Sequence, residues 1–243
     1  MKKKSNHPIL GAIFRFLAEI FTYICFRPSI KFTDKKAIKS LNGRPVIFVF
    51  NHTSYFDGVL TSVIAKKNKH YTVVAKDWYD KKHFTFFLDL YRSIPIDRFN
   101  PDANWFISAT EKIKDGYSIC IFPEGSTSKN GVMKPFHPGF ALLALENNLP
   151  VIPVAIGGKY KIIFGKRQRV LIGSPIYITD DISVRKSRIA SSAAVQMQQI
   201  IEEMLFNIKY NEHKGEFLNE QTGNSRKDQS DACREPTNTR GCS

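Results

Sequence analysis

The stretch "VIFVFNHTSYFDGVL", residues 46–60, decides the fold, because it joins an apolar run to a helical pattern through a polar turn. An unbroken apolar run such as 46–50 is typical of a strand that is buried on both faces of a sheet. The polar residues "NHTS" follow at 51–54, and apolar residues at helical spacing begin after Asp57. The order strand, turn, helix predicts one βα unit of an α/β fold.

The same stretch places a histidine, His52, five positions before a carboxylate, Asp57. Within a single helix two such side chains would point about 140° apart and would not meet. A turn between strand and helix changes this, since Asp57 in the first helical turn can reach back and accept the Nδ1 proton of His52. The free Nε2 is then a base. Ser54 and Asp57 also match the spacing of a capping box, which would make Asp57 purely structural. Both interpretations stay open at this point.

Apolar, β-rich runs alternate with helical patterns over most of the remaining chain. The alternation predicts an α/β fold with a mixed, largely parallel sheet that is covered by helices. The predicted strands are 45–50, 71–75, 93–96, 118–122, 151–156 and 169–173. The predicted helices are 57–66, 102–115, 137–147 and 184–208.

Residues 8–26 form a strongly apolar segment that is interrupted by Arg15 and Glu19, at a spacing that lets the two charges pair on one helix face. A secretory signal would not carry two charges within its apolar region. A spanning helix needs about 20 mostly uncharged residues. We therefore expect a helix that lies in the membrane interface or dips into one leaflet, with Lys2, Lys3 and Lys4 on lipid headgroups. The alternative is a helix that packs on the protein's own core.

The 243 residues predict three regions. These are a membrane-anchoring helical segment with its lead-in (1–42), an α/β domain (43–210) and a disordered polar tail (211–243). The formal net charge of +14 favours anionic partners. The four cysteines have no Cys-x-x-Cys spacing, which argues against a metal site and fits a reducing compartment. We expect a protein on the cytoplasmic face of the inner (plasma) membrane.

Four sequence blocks carry a family resemblance. They are Asn-His-Thr-Ser-x-x-Asp at 51–57, "SIPIDRF" at 93–99, Phe-Pro-Glu-Gly at 122–125 and "LPVIPVAI" at 149–156. In this order the blocks resemble the glycerolipid acyltransferase superfamily, in particular the lysophosphatidate (1-acyl-glycerol-3-phosphate) acyltransferases. The resemblance implies transfer of a fatty acyl group from acyl-CoA or acyl-carrier protein to a lyso-lipid hydroxyl. It implies no cofactor and no metal.

The resemblance also assigns roles to residues of this chain. His52, oriented by Asp57, would be the general base, and Arg98 would hold the phosphate of the acceptor. Glu124 and Gly125 would shape the acceptor pocket. The hydroxyls of Ser126 and Thr127 suit a phosphate or hydroxyl substrate. In the alternative interpretation, Arg98 is an ion-pair partner of Asp97 or Asp102, and Glu124 is a turn residue.

The chain departs from the family pattern at one position. The usual block reads Phe-Pro-Glu-Gly-Thr-Arg-Ser, and here Thr127 stands where the arginine would help to hold the phosphate. Threonine supplies no guanidinium group. Either Lys129 or Lys134 replaces the charge, or the acceptor is another lysophospholipid or a lyso-ornithine lipid without an exposed phosphomonoester.

Two other functional classes fit the residues less well. A nucleic-acid-binding protein would suit the net charge, but the basic residues are scattered and the aromatic residues lie in apolar runs. We therefore expect no nucleic-acid partner. A hydrolase that uses His52 and Asp57 would need a nucleophile, and the chain has no Gly-x-Ser-x-Gly motif. Cys120 does not qualify, because its strand is predicted to be buried.

Overall fold

The computed structural model describes residues 8–98, 103–128, 132–158, 160 and 167–213. The helices are α1 (Pro8–Phe26), α2 (Lys35–Ser40), α3 (Asp57–Ile64), α4 (Lys76–Tyr79), α5 (Lys82–Leu90), α6 (Asn104–Lys114), α7 (Gly139–Asn147) and α8 (Lys186–His213). The strands are β1 (Ser29–Phe32), β2 (Ile47–Phe50), β3 (His70–Ala75), β4 (Ser93–Ile96), β5 (Ser118–Ile121), β6 (Val151–Gly157) and β7 (Arg169–Ile172).

The seven strands form one sheet in the order β1-β7-β6-β2-β5-β3-β4. Every neighbouring pair is parallel except β6 and β7, which are antiparallel. Strands that follow helical crossovers run parallel because the chain returns to the same end of the sheet each time. The prediction of a mixed, largely parallel sheet covered by helices is confirmed.

Both faces of the sheet are buried, as the unbroken apolar run in the opening stretch indicates. In β2, Ile47 and Val49 belong to the core on the side of α6, α7 and α8. Phe48 and Phe50 belong to the core on the opposite side, which also includes Leu60 of α3. Alternate side chains of a strand point to opposite faces, so one continuous apolar run serves two cores. Burial on both faces holds the carboxyl end of β2 in place.

All six predicted strands and all four predicted helices are present, with ends that differ by a few residues. The elements β1, α2, α4 and α5 were not predicted, because they are short or carry charges inside their apolar pattern. Because β1 is an edge strand of the sheet, the sheet begins before residue 43. At the other end, α8 continues to His213, three residues into the segment expected to be a tail, and 214–243 lie outside the described residues. The domain boundaries stay a prediction.

Helix α1 carries its polar groups on the side that faces the protein. Arg15 Nη1 donates to the carbonyl oxygen of Leu90 at 2.6 Å, and Glu19 Oε2 lies 2.7 Å from Nζ of Lys66. The expected pairing of Arg15 with Glu19 is therefore wrong, because each charge finds a partner at the end of a neighbouring helix, α5 or α3. The opposite face of α1 is apolar and exposed, and includes Ile9, Ile13, Phe16, Leu17, Ile20 and Ile24.

Among the described helices, α1 is the one that is long and apolar enough to cross a membrane, with a mean hydropathy of 1.8. About a fifth of it (22%) is buried against the rest of the protein. Helix α1 therefore has features of a helix packed on the protein's own core and of a membrane-interface helix. One of its faces packs on α3 and α5, and the other is apolar and exposed. Lys2, Lys3 and Lys4 lie outside the described residues.

The parallel arrangement brings separate sequence blocks to one edge of the sheet. The carboxyl ends of parallel strands meet at the same edge, and ligands of α/β proteins bind there. His52 follows β2, residues 122–128 follow β5, and Arg98 follows β4. The loop after β6 begins at the same edge. The candidate site lies where these loops converge.

Candidate active site

His52 and Asp57 meet as the turn between β2 and α3 predicts. The Nδ1 atom of His52 lies 3.0 Å from Oδ2 of Asp57. Asp57 is completely buried, and the His52 side chain retains 17% of its exposure. Because a carboxylate can only accept, Nδ1 carries the proton of neutral His52 and Nε2 has a free lone pair. The ring of His52 also packs on Phe122, with 4.6 Å between the ring centroids.

Asp57 has a structural task as well. Its Oδ2 atom accepts the backbone N–H groups of Thr53 at 2.6 Å and of Ser54 at 2.8 Å. The Ser54 bond has the spacing of a capping box, but α3 begins at Asp57 with Phe56 as its N-cap, so the bond closes the turn before the helix and does not cap it. The two interpretations of Asp57 are therefore compatible, since one carboxylate closes the turn and faces His52.

The Glu124 carboxylate connects two loops of the site through hydrogen bonds to their backbone N–H groups. Its Oε1 accepts the backbone N–H of His52 at 2.6 Å, and its Oε2 accepts the backbone N–H of Lys134 at 3.0 Å. Burial raises the pKa of the Glu124 carboxyl, and these two N–H groups oppose the rise. A third link is the Ser128 N–H, which donates to the His52 carbonyl oxygen at 2.7 Å. Glu124 thus fixes the loop that carries His52.

Gly125 and Arg98 form the next part of the site. Gly125 has φ +69°, a conformation that residues with a Cβ rarely adopt. Its N–H donates to the Phe122 carbonyl oxygen at 3.1 Å and is therefore used within the turn. Its carbonyl oxygen accepts from Nη1 of Arg98 at 2.9 Å. Arg98 Nη2 pairs with Asp77, a partner that the sequence did not indicate.

The sequence offers Asp97 and Asp102 as alternative ion-pair partners of Arg98. Asp97 forms its ion pair with Lys76, at 3.7 Å, and Asp102 lies outside the described residues. Arg98 is therefore held at the site by Asp77 and the Gly125 carbonyl, with its guanidinium only partly buried.

A lysine lies beside the position where the family pattern has an arginine. Lys134 Nζ donates to the Ser126 hydroxyl at 2.6 Å and to the Thr127 carbonyl oxygen at 3.2 Å. The positive charge that Thr127 lacks is thus present within the same loop. Lys129, the other candidate, lies outside the described residues.

A cavity of about 880 Å³ opens beside the His52 ring. Its polar lining includes His52, Asp77, Lys81, Asp97, Arg98, Gly125, Ser126, Thr127 and His137. Its apolar lining comes from α1, α3, β3 and α5, and includes Phe14, Val59, Val73, Phe84, Phe87 and Leu88. Glu124 and Lys134, both among the described residues, lie behind this lining and support it. One cavity therefore joins a base, cations and an apolar surface.

The comparisons with known proteins agree with this arrangement. Residues 29–157, more than half of the chain, match the acyltransferase family. The chain belongs to the acyltransferase family.

Two relatives of the acyltransferase carry the same named function. The chain is 26% identical over 175 residues to the chloroplastic 1-acyl-sn-glycerol-3-phosphate acyltransferase BAT2 of Brassica napus, covering 67% of this chain and 50% of that protein. It is 25% identical over 196 residues to the 1-acyl-sn-glycerol-3-phosphate acyltransferase of Bacillus subtilis, covering 78% of this chain and 96% of that protein. The chain thus spans about half the length of the Brassica relative and nearly all of the bacterial one.

A solved structure has the same fold. The crystal structure of the 1-acyl-sn-glycerophosphate acyltransferase PlsC from Thermotoga maritima matches with a TM-score of 0.56. The match covers 86% of this chain and 84% of that one, at 19% identity. It supports the fold of this acyltransferase.

Sequence reasoning missed several residues of the acyltransferase site. Asp77 lies on the short helix α4, and Tyr160 follows β6 and donates to Oδ1 of Asp57. A polar residue just beyond the end of a parallel strand is the signal that would have found Tyr160. Within the described ranges, no group of three His, Cys, Asp or Glu side chains could hold a metal ion.

Proposed function

We propose that this acyltransferase moves a fatty acyl group from an acyl thioester to the free hydroxyl of lysophosphatidate, giving phosphatidate in phospholipid biosynthesis. The observation that carries the proposal is the junction, in one cavity, of the His52–Asp57 pair with the Arg98 guanidinium and an apolar surface. The named function of the relatives supports the same acceptor.

His52 supplies the base for this reaction. Its Nε2 takes the proton of the acceptor hydroxyl as the oxygen attacks the thioester carbonyl, and Asp57 stabilises the imidazolium. The imidazolium then returns the proton to the departing thiolate as the tetrahedral intermediate collapses. Attack is direct, since the chain has no nucleophile motif for an acyl-enzyme. Cys120 is fully buried in β5, and burial raises the pKa of its thiol well above the usual value.

The two cations near Gly125 support a phosphate-bearing acceptor. Arg98 presents its guanidinium from the end of β4, where it can form charge-assisted hydrogen bonds to phosphate oxygens. Lys134 adds positive charge behind the Ser126 hydroxyl, 2.6 Å from Nζ. The hydroxyls of Ser126 and Thr127 complete this wall as neutral donors. We infer that Lys134 stands in for the arginine that Thr127 replaces.

The apolar lining supports an acyl group in the other part of the cavity. Phe87 and Leu88 of α5 and Val59 of α3 offer surface of the kind that a fatty chain prefers. The Tyr91 hydroxyl is turned away from solvent and donates to the Gly58 and Val59 carbonyls at 2.9 and 3.0 Å. Its polarity is therefore satisfied by α3 and does not interrupt the apolar wall.

A panel of acceptors tests the function. The purified chain is incubated with labelled acyl-CoA, or with labelled acyl-carrier protein, and one acceptor. The acceptors are lysophosphatidate, a lysophospholipid whose phosphate carries a headgroup, and a lyso-ornithine lipid. We expect the highest kcat/KM with lysophosphatidate. A preference for either of the other two acceptors would contradict the assignment of lysophosphatidate. The His52→Ala variant is the inactive control.

We also propose that the outer face of α1 binds the cytoplasmic surface of the inner (plasma) membrane. Phe16 and Leu17 on this face are 61% and 55% exposed. The polar groups of α1 point inward, so the outward face is apolar over the whole helix. The net charge of +14 favours a surface that contains anionic lipid.

Flotation with vesicles tests this surface. The double variant Phe16→Gln/Leu17→Gln should lose most of its binding to vesicles of phosphatidylethanolamine and phosphatidylglycerol. The matched control is Val195→Gln/Phe206→Gln on α8, which removes two similarly exposed apolar residues elsewhere. High salt should weaken the wild-type binding only slightly, because apolar burial is screened far less than surface charge. Equal binding by both double variants would place the anchor elsewhere.

A further inference from the structure

A tyrosine beyond the recognised sequence blocks contacts the catalytic carboxylate. Tyr160 follows β6, and its hydroxyl donates to Oδ1 of Asp57. His52 and the N–H groups of Thr53 and Ser54 all use the other oxygen, Oδ2. The two carboxylate oxygens therefore have different tasks. The Thr53 hydroxyl also donates to Oδ1, at the long distance of 3.4 Å. Together with the bonds at Oδ2, the Tyr160 bond at Oδ1 restricts rotation of the carboxylate about its Cβ–Cγ bond.

The phenol ring is itself held in place. It packs edge-on against Phe26, with 5.1 Å between centroids and an interplanar angle of 87°. It also contacts Phe56, at 5.8 Å, and Phe26 and Phe56 contact each other at 5.2 Å. Phe26 is the buried last residue of α1, and Phe56 precedes Asp57. Burial and the Asp57 charge raise the pKa of Tyr160 well above its usual value, so the hydroxyl remains a donor.

We propose that Tyr160 is a positioning residue, which fixes the plane of the Asp57 carboxylate so that Oδ2 faces Nδ1 of His52. It acts through Asp57 and touches no substrate. The aromatic group of Phe26, Phe56 and Tyr160 also connects the end of α1 to the His52–Asp57 pair. Through this aromatic group, the packing of α1 against the sheet edge contributes to turnover, independently of any membrane binding by α1. The inference rests on the proposed function, because its assay measures acyl transfer.

A double-mutant cycle tests the role. Tyr160→Phe keeps the ring and removes the hydroxyl, and we expect kcat to fall roughly three- to tenfold, as for loss of one hydrogen bond, with both KM values unchanged. In an Asp57→Ala background, which has no carboxylate to position, the same change should have little further effect. The matched control is Tyr79→Phe, which removes a phenol hydroxyl that donates to the Ser93 carbonyl at 3.0 Å. It should keep the wild-type kcat.

The outcomes separate this inference from the proposed function. If the wild type fails to acylate lysophosphatidate, the function is wrong, and the cycle is run with the acceptor that the panel identifies. If the wild type turns over and Tyr160→Phe keeps full kcat, the positioning role is wrong. The same holds if Tyr160→Phe costs as much in the Asp57→Ala background as it does beside the native carboxylate. Should Tyr160→Phe not fold, Phe26→Leu removes the ring that packs on Tyr160, together with its contacts to Phe56 and Phe21, and leaves the Tyr160 hydroxyl in place. We then expect a roughly two- to fivefold lower kcat, and full kcat would overturn the proposal.

Discussion

Replacing Asp57 with asparagine separates its charge from its hydrogen bonds. The amide oxygen can take the place of Oδ2 and accept the N–H groups of His52, Thr53 and Ser54. The amide nitrogen then takes the place of Oδ1 and donates to the Tyr160 oxygen. Asparagine therefore preserves the hydrogen-bonding pattern, and we expect the free energy of unfolding to fall by only about 1 kcal/mol.

The catalytic cost should be much larger. An imidazolium and a carboxylate 3.0 Å apart attract each other by about 5 kcal/mol at an effective dielectric constant of about 20. The proton is only partly transferred in the transition state, so about half of this attraction acts on the rate. The variant should lose about 2–3 kcal/mol of transition-state stabilisation, which corresponds to an approximately hundredfold lower kcat.

The assay follows release of free thiol from acyl-CoA, with thermal unfolding measured on the same preparation. Asp115→Asn is the matched control, because Asp115 is an exposed carboxylate at the end of α6 that pairs with Lys112 at 2.7 Å. It should leave kcat unchanged. If Asp57→Asn lowers the melting temperature while kcat per folded molecule stays near the wild-type value, Asp57 is only a cap and the base mechanism fails.

Three further predictions follow from the site and the sheet. His52→Ala should lower kcat about 10²–10⁴-fold while the melting temperature stays within a few degrees, and near-normal turnover would end the assignment of the base. Arg98→Ala should raise the KM for lysophosphatidate about ten- to hundredfold, and Lys134→Met should raise it less, with no such change for an acceptor that lacks the phosphomonoester. Burial lowers the pKa of His70 to about 4. Since the unfolded chain takes up this proton near pH 6.5, wild-type stability should be complete above pH 6.5 and fall by about 2–3 kcal/mol as the pH decreases to about 4. A His70→Gln variant should lack that loss in urea titrations across this range.

Local patterns were sufficient for most elements of the fold. The apolar run 46–50 and the similar run 151–156 mark strands, because they are short and rich in Val and Ile, as suits strands that are buried on both faces of a sheet. The edge strand β1 was not predicted, because its side chains are only partly buried and Lys31 interrupts its apolar residues. Helix α5 was not predicted either, for a different reason. Its phenylalanines line the cavity or remain exposed, so they follow no single buried stripe.

Contacts between loops could not be predicted, because they depend on which strands are neighbours. The meeting of His52 with Asp57 is local and follows from one turn. The bond of Arg98 to the Gly125 carbonyl requires that β4 and β5 end at one edge, separated by β3. The contact of Lys134 with Ser126 depends on the path of the loop after β5. Pattern and spacing contain none of this information.

The strand order also explains why Tyr160 reaches Asp57 across more than a hundred residues of chain. Strands β2 and β6 are parallel neighbours, with Phe50 opposite Val154 in the register. Asn51 strengthens this junction, since its side chain donates to the Ile156 carbonyl at 3.0 Å and accepts the Ile156 N–H at 2.7 Å. Tyr160, three residues after the end of β6, therefore lies beside the turn that carries His52. A residue at that point contacts the Asp57 carboxylate without belonging to any recognised block. The strand ends next to the turn of His52 and Asp57 are therefore where further positioning residues should be sought.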